Sequence, residues 1–162
     1  MADGLEGIDG VAVTAWLADR LENLETPLDF ELLAGGHSNL TYRVTDRAAN
    51  TYVLRRPPLG HVLQSAHDMG REHKIIFALQ GSAVPVATTV GLCVDDSVND
   101  APFYVMNYVA GPVLHNHEAA AALSEEDRAA LGLHVIDVLA ALHQIDPDVV
   151  GLGDLGRKEA YL

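Results

Sequence analysis

Apolar positions recur at helical spacing over residues 9–24, where Val13, Trp16, Leu17, Leu21 and Leu24 share a face and Asp9 stands where a helix cap belongs. Downstream the pattern shortens into strand-like runs. Asp29–Leu33, Leu40–Thr45 and Thr51–Arg56 are separated by Ala34–Asn39 and Asp46–Asn50, whose Gly, Asn and Asp content suits turns. These runs read as hairpins of an antiparallel meander, and Pro57-Pro58 stops the third strand because proline cannot donate to a ladder. A second helix is predicted over His67–Leu79. Two further strands follow, Ala87–Cys93 and Phe103–Tyr108, with an acidic turn at Asp95–Asp100 between them. Gly111-Pro112 interrupts the chain. A long helix then runs from Glu125 to about Ile145, opened by Ser124 with Asp127 in a capping-box-like arrangement and closed by Asp146-Pro147. Glu118–Leu123 reads only as Ala-rich. Helix, three strands, helix, two strands, link and helix is an α+β order: an antiparallel five-stranded sheet with one helix inserted after the third strand. The expected division is an N-terminal helical segment at 1–27, a sheet-bearing lobe at 28–112, and a linker with its helix at 113–162.

Composition narrows the class. A chain of 162 residues that is 49% apolar can bury a core and is no disordered acidic tail. Its formal net charge of −13 argues against binding a nucleic-acid backbone. The charge is uneven, however. Residues 43–74 hold six basic side chains (Arg43, Arg47, Arg55, Arg56, Arg71 and Lys74) against three acids, with His61, His67 and His73 inside the stretch and His37 just before it. A basic island in an acidic chain suits a small anion. The single cysteine, Cys93, excludes an internal disulfide and a Cys-rich zinc site, and reads as a buried, inert thiol in a reducing, cytoplasmic setting. No apolar run of 18 residues appears, and Met1–Glu6 lacks the basic start of a signal peptide, so no membrane partner is expected.

Four places could carry chemistry. Gly35-Gly36-His37-Ser38-Asn39 is either an ordinary hairpin turn or a loop whose backbone N–H groups can approach an anion. In the third strand, alternation puts Val53 and Arg55 on one face and Leu54 and Arg56 on the other, so one arginine must share a face with an apolar neighbour. Glu72 interrupts the apolar stripe of the second helix between Met69 and Ile76 and needs a partner; Arg55 is the obvious one, with Arg71 or Lys74 as surface alternatives. Phe103–Gly111 is a core strand running into a glycine-containing link, which could offer backbone groups to a flat heterocycle.

The order of these features is more specific than any one of them. LAGGHSNLTYRV (33–44), YVLRRPP (52–58), AHDMGREHKII (66–76), FYVMNYVAGPVL (103–114) and LAALHQIDPDVVGLGDLGR (139–157) together resemble the aminoglycoside phosphotransferase-like small-molecule kinases, in the branch found beside or fused to acyl-CoA dehydrogenases. The resemblance implies a protein-kinase-like N-lobe. It implies that Gly35, Gly36, Ser38 and Asn39 cover the phosphates of ATP, that Arg55 replaces the lysine on the α- and β-phosphates, and that Glu72 holds Arg55. Val53 would line the adenine pocket, and Met106, Asn107 and Tyr108 would form the hinge that reads the adenine edge. Arginine in place of lysine alters the phosphate geometry, because its donors are forked.

The same family needs a catalytic loop of the H-G-D-x-x-x-x-N type and a later Asp for Mg²⁺. Neither is found, and no catalytic or metal-binding residue is assigned. Asp154-Leu155-Gly156 follows directly on the last helix and reads as a connector. His115-Asn116-His117 lacks the partners of a metal site, and His134 and His143 read as helix-surface or packing residues. The implied function is the ATP-binding lobe of a kinase whose full-length parent would use ATP as its Mg complex to phosphorylate a small hydroxylated or hydroxyacyl substrate. The last helix is apolar around most of its circumference, through Leu131, Leu133, Val135, Ile136, Val138, Leu139, Leu142 and Ile145. That predicts self-association. It also supports a rival reading, a non-catalytic binding or assembly module.

Overall fold

The computed structural model describes residues 5–33, 39–60, 68–114 and 116–156. Met1–Phe77 with Ala87–Tyr108 form one compact unit, and Ala78–Val86 with Val109–Leu162 a second. The elements in chain order are α1 (Gly10–Ala18), β1 (Asp29–Leu32), β2 (Leu40–Thr45), β3 (Thr51–Arg56), α2 (Met69–Leu79), β4 (Thr89–Cys93), α3 (Asp96–Asn99), β5 (Phe103–Asn107), α4 (His117–Ala121) and α5 (Glu125–His143).

The five strands make one antiparallel sheet in the order β1-β2-β3-β5-β4. The first three form the expected meander, and β5 then inserts between β3 and β4. Side chains alternate across the sheet, which gives its two faces different work. Tyr42, Val44, Leu54, Phe103, Val105 and Cys93 occupy one face and join Val13, Trp16 and Leu17 of α1 in a single buried cluster. Trp16 meets Phe103 edge to face at 5.0 Å. Gly91 makes room for it, since a Cβ there would sit 3.3 Å from the Trp16 ring.

Helix α1 is shorter than its apolar spacing suggests. Asp9 caps it as expected, accepting from the N–H groups of Val11 and Ala12. At the other end Arg20 donates to the Trp16 carbonyl and lays its guanidinium 3.9 Å from the centre of the Trp16 ring. The chain turns there, and Leu21 and Leu24 reach the core from the turns that follow. The acidic segment after β4 winds into the single helical turn α3, and the Ala-rich stretch contains α4, opened by Asn116 accepting from Ala119 N–H. In the second unit Ser124 caps α5 as its sequence indicates. Leu133, Val135, Ile136 and Leu139 of α5 are all exposed.

Arg56 lies on the α1 face of the sheet and is only 5% exposed. Among the described residues its partners are carbonyls rather than a carboxylate: Nε donates to Pro57 O, and Nη1 to Gly7 O and Asn99 O. Gly7 has φ +81°, and a side chain there would also collide with the Tyr42 hydroxyl and with Arg56. Asn99, itself buried, receives the Asp9 N–H and donates to Gly7 O. This knot ties the segment ahead of α1 to β3 and α3. Arg56→Ala strands several of these carbonyls, and we expect it to cost about 2–3 kcal/mol. Arg43→Ala, which breaks a half-exposed 2.8 Å pair with Glu31, is expected to cost under about 1 kcal/mol. Urea unfolding of the two variants checks the ranking.

Candidate functional site

The sheet face opposite α1 carries the site. Thr41, Arg55, Tyr104 and Leu92 lie side by side across β2, β3, β5 and β4, and Arg43, Val53, Met106 and Thr89 form the next row. Helix α2 brings Glu72 to the first row. Its Oε2 accepts from Arg55 Nε at 3.1 Å and from the Tyr104 hydroxyl at 3.1 Å, and its Oε1 accepts from Asn39 Nδ2 at 2.7 Å. Arg55 Nη1 in turn donates to Thr41 Oγ1 at 3.3 Å. Among the described residues Nη2 of Arg55 meets no acceptor. The inward carboxylate of α2 thus has Arg55 as its partner, rather than Arg71 or Lys74.

Beside this row Val53 is buried and Met106 half-buried. Asn107 and Tyr108 are exposed, but their N–H groups are engaged within the sheet. Asn107 N–H donates to Thr88 O and Tyr108 N–H to Thr51 O. Neither N–H is therefore available to a base edge, which narrows what the expected hinge can offer. Arg43 reaches over the Tyr108 ring at 5.9 Å. Gly35, Gly36 and Ser38 lie outside the described residues, as does His115.

Two residues were not singled out by the sequence. Tyr104 is 1% exposed and reads as one more apolar position of a core strand, yet its hydroxyl is in the site. Burial raises its pKa, so the phenol stays protonated and donates. His73 stands next to it on α2, edge-on to the Tyr104 ring at 6.0 Å and stacked on Phe77 at 5.9 Å. Burial lowers the His73 pKa, which favours a neutral imidazole. A separate cleft of about 1150 Å³ opens on the α1 side, lined by Ile8, Phe30, Leu59 and Arg56 among others, and contains none of the predicted site residues. No group of three or more His, Cys, Asp or Glu side chains among the described residues could hold a metal ion. No helix among them is long and apolar enough to cross a membrane.

A cation held by a carboxylate from the helix over a five-stranded sheet is the arrangement the motif order implies. Residues 29–162 match the model of the phosphotransferase enzyme family. The chain belongs to that family. This phosphotransferase-family chain is 34% identical over 138 residues to mouse acyl-CoA dehydrogenase family member 10, covering 84% of itself and 12% of that protein. It is 32% identical over 160 residues to the probable acyl-CoA dehydrogenase IBR3 of Arabidopsis thaliana, covering 94% and 19%. A crystal structure from Ralstonia eutropha, provisionally assigned to the aminoglycoside phosphotransferases, superposes with a TM-score of 0.75 at 34% identity, over 92% of this chain and 42% of that one. The chain therefore spans under a fifth of those two curated relatives and less than half of the solved structure.

Within this phosphotransferase lobe the carboxylate serves more groups than the guanidinium does. Glu72→Ala deprives the buried Tyr104 hydroxyl and the buried Asn39 amide of this acceptor, and a loss of about 2 kcal/mol is expected. Arg55→Ala leaves Glu72 two donors, and the side chains of the pair are 30% and 33% exposed, so the expected loss is under about 1 kcal/mol. Equal losses in urea unfolding would show that the ion pair, and not the convergence on Glu72, holds the site together.

Proposed function

We propose that this chain is the nucleotide-binding lobe of a small-molecule kinase. Its parent would transfer the terminal phosphoryl group of ATP, as the Mg complex, to a hydroxyl of a small substrate. The observation that carries the reading is Arg55, held by Glu72 on the sheet face beside Val53 and Met106. The residues fit the group. A guanidinium with one terminal nitrogen lacking an acceptor among the described residues suits a phosphate oxygen. The apolar pair Val53 and Met106 suits a flat base. ATP supplies the phosphoryl group; the chain's part is to bind and orient it. Asn39, expected over the phosphates, gives its amide to Glu72 and so acts from behind the arginine. The names of the curated relatives favour an acyl-bearing hydroxy compound as substrate of the parent. The sequence assigns no base and no metal ligand to this chain, so it should bind nucleotide without phosphorylating anything. Calorimetric titration with ATP, with and without Mg²⁺, is expected to give micromolar to millimolar binding that Arg55→Ala abolishes. No heat at millimolar ATP would overturn the reading.

A second reading is favoured by α5, where Leu133, Val135 and Ile136 are 67%, 58% and 62% exposed. In this reading the helix is an assembly surface and nucleotide affinity is secondary. Sedimentation should then show association that grows with concentration and that Arg55→Ala leaves unchanged. A monomer at every concentration would sink it.

A further inference from the structure

We infer that Tyr104 is a positioning residue for the phosphate contact of Arg55: its buried hydroxyl fixes the Glu72 carboxylate, which in turn fixes the guanidinium. The inference rests on the nucleotide reading above and adds to it a residue to which the resemblance gave no role.

The two strands place Tyr104 directly opposite Arg55, on the same sheet face. Both side chains donate to one oxygen, Glu72 Oε2, each at 3.1 Å, while Asn39 holds the other oxygen at 2.7 Å. A glutamate carboxylate otherwise turns easily about its last torsion, whose preferences are broad. Donors on both oxygens remove that freedom. With Nε placed on a fixed oxygen and Nη1 on Thr41 Oγ1, the guanidinium plane is defined at two points and the direction of Nη2 follows. A phenylalanine would fill the same core position, so packing alone does not call for a hydroxyl. A hydroxyl buried this deeply is costly unless it is bonded, and among the described residues its acceptor is the carboxylate that holds Arg55. The ring is steadied in turn by His73, edge-on at 6.0 Å.

The test compares ADP with adenosine as probes of the chain, titrated calorimetrically against wild type and Tyr104→Phe. Wild type is expected to prefer ADP. Tyr104→Phe should weaken ADP roughly fivefold, the scale of one hydrogen bond, and change adenosine by less than about twofold, within that same scale's lower edge. A purely structural role would move both ligands together. If wild type shows no preference for ADP, the nucleotide reading and this inference both fall. If wild type prefers ADP and Tyr104→Phe keeps that preference, this inference alone falls. Should the variant fail to fold, the nitrogen-15 spectrum of unliganded wild type decides. One Arg55 Nε–H resonance, shifted and protected from exchange, is expected, and a freely exchanging signal overturns the inference.

Discussion

Glu72 stands in the first turn of α2 and accepts hydrogen bonds from Asn39 just ahead of β2, Arg55 on β3 and Tyr104 on β5. Three elements that are distant in sequence are thereby referred to one carboxylate. The ion pair in this group is about a third exposed, so its Coulombic part is screened and contributes little to stability. Two of the three donors are buried, however, and buried donors must be matched. What the convergence supplies is orientation. The helix sits where both carboxylate oxygens meet their donors, and the arginine adopts a rotamer that brings Nε to Oε2.

Adjacent arginines show how strongly strand alternation decides fate. Arg56 points toward α1 and is buried among carbonyls of Gly7, Asn99 and Pro57. Arg55 points the other way, keeps about a third of its side-chain surface and has a carboxylate partner. A shift of one residue in the pairing of β2 with β3 would exchange them. It would place Arg55 in the knot that ties the N-terminal segment down. Tyr42 and Leu54, which pack on α1, hold the register against that slip, because they would be turned to the opposite face.

The same alternation explains what could be read in the chain. The hairpins were legible from Gly, Asn and Asp between apolar runs, and the inward Glu72 from its interruption of a helical stripe. The neighbour of β3 was not. Phe103-Tyr104-Val105 reads as an unbroken core strand, and nothing local says which of the three faces the site. That depends on β5 pairing with β3 across an inserted helix and another strand, a long-range contact with no local signal. Asn99 was hidden for a related reason. In sequence it belongs to an acidic turn, while in the fold its side chain bonds Asp9 and Gly7, some ninety positions away. Helix α4 spans five residues, too few to show a periodicity.

On the proposed reading, arginine in place of the kinase lysine also takes on a physical sense. A lysine has one nitrogen, which must serve the carboxylate and the phosphate together. Arg55 divides the work: Nε goes to Glu72 and Nη1 to Thr41, leaving Nη2 in a direction set by the protein. The fork, which the sequence suggested would reshape the phosphate contact, is mostly turned inward. On the proposed reading the ligand therefore meets a nitrogen already aimed, and little of its binding is offset by ordering a flexible side chain. Aiming a guanidinium in this way requires a carboxylate that cannot rotate. The buried phenol opposite it is the simplest part of the fold that prevents the rotation.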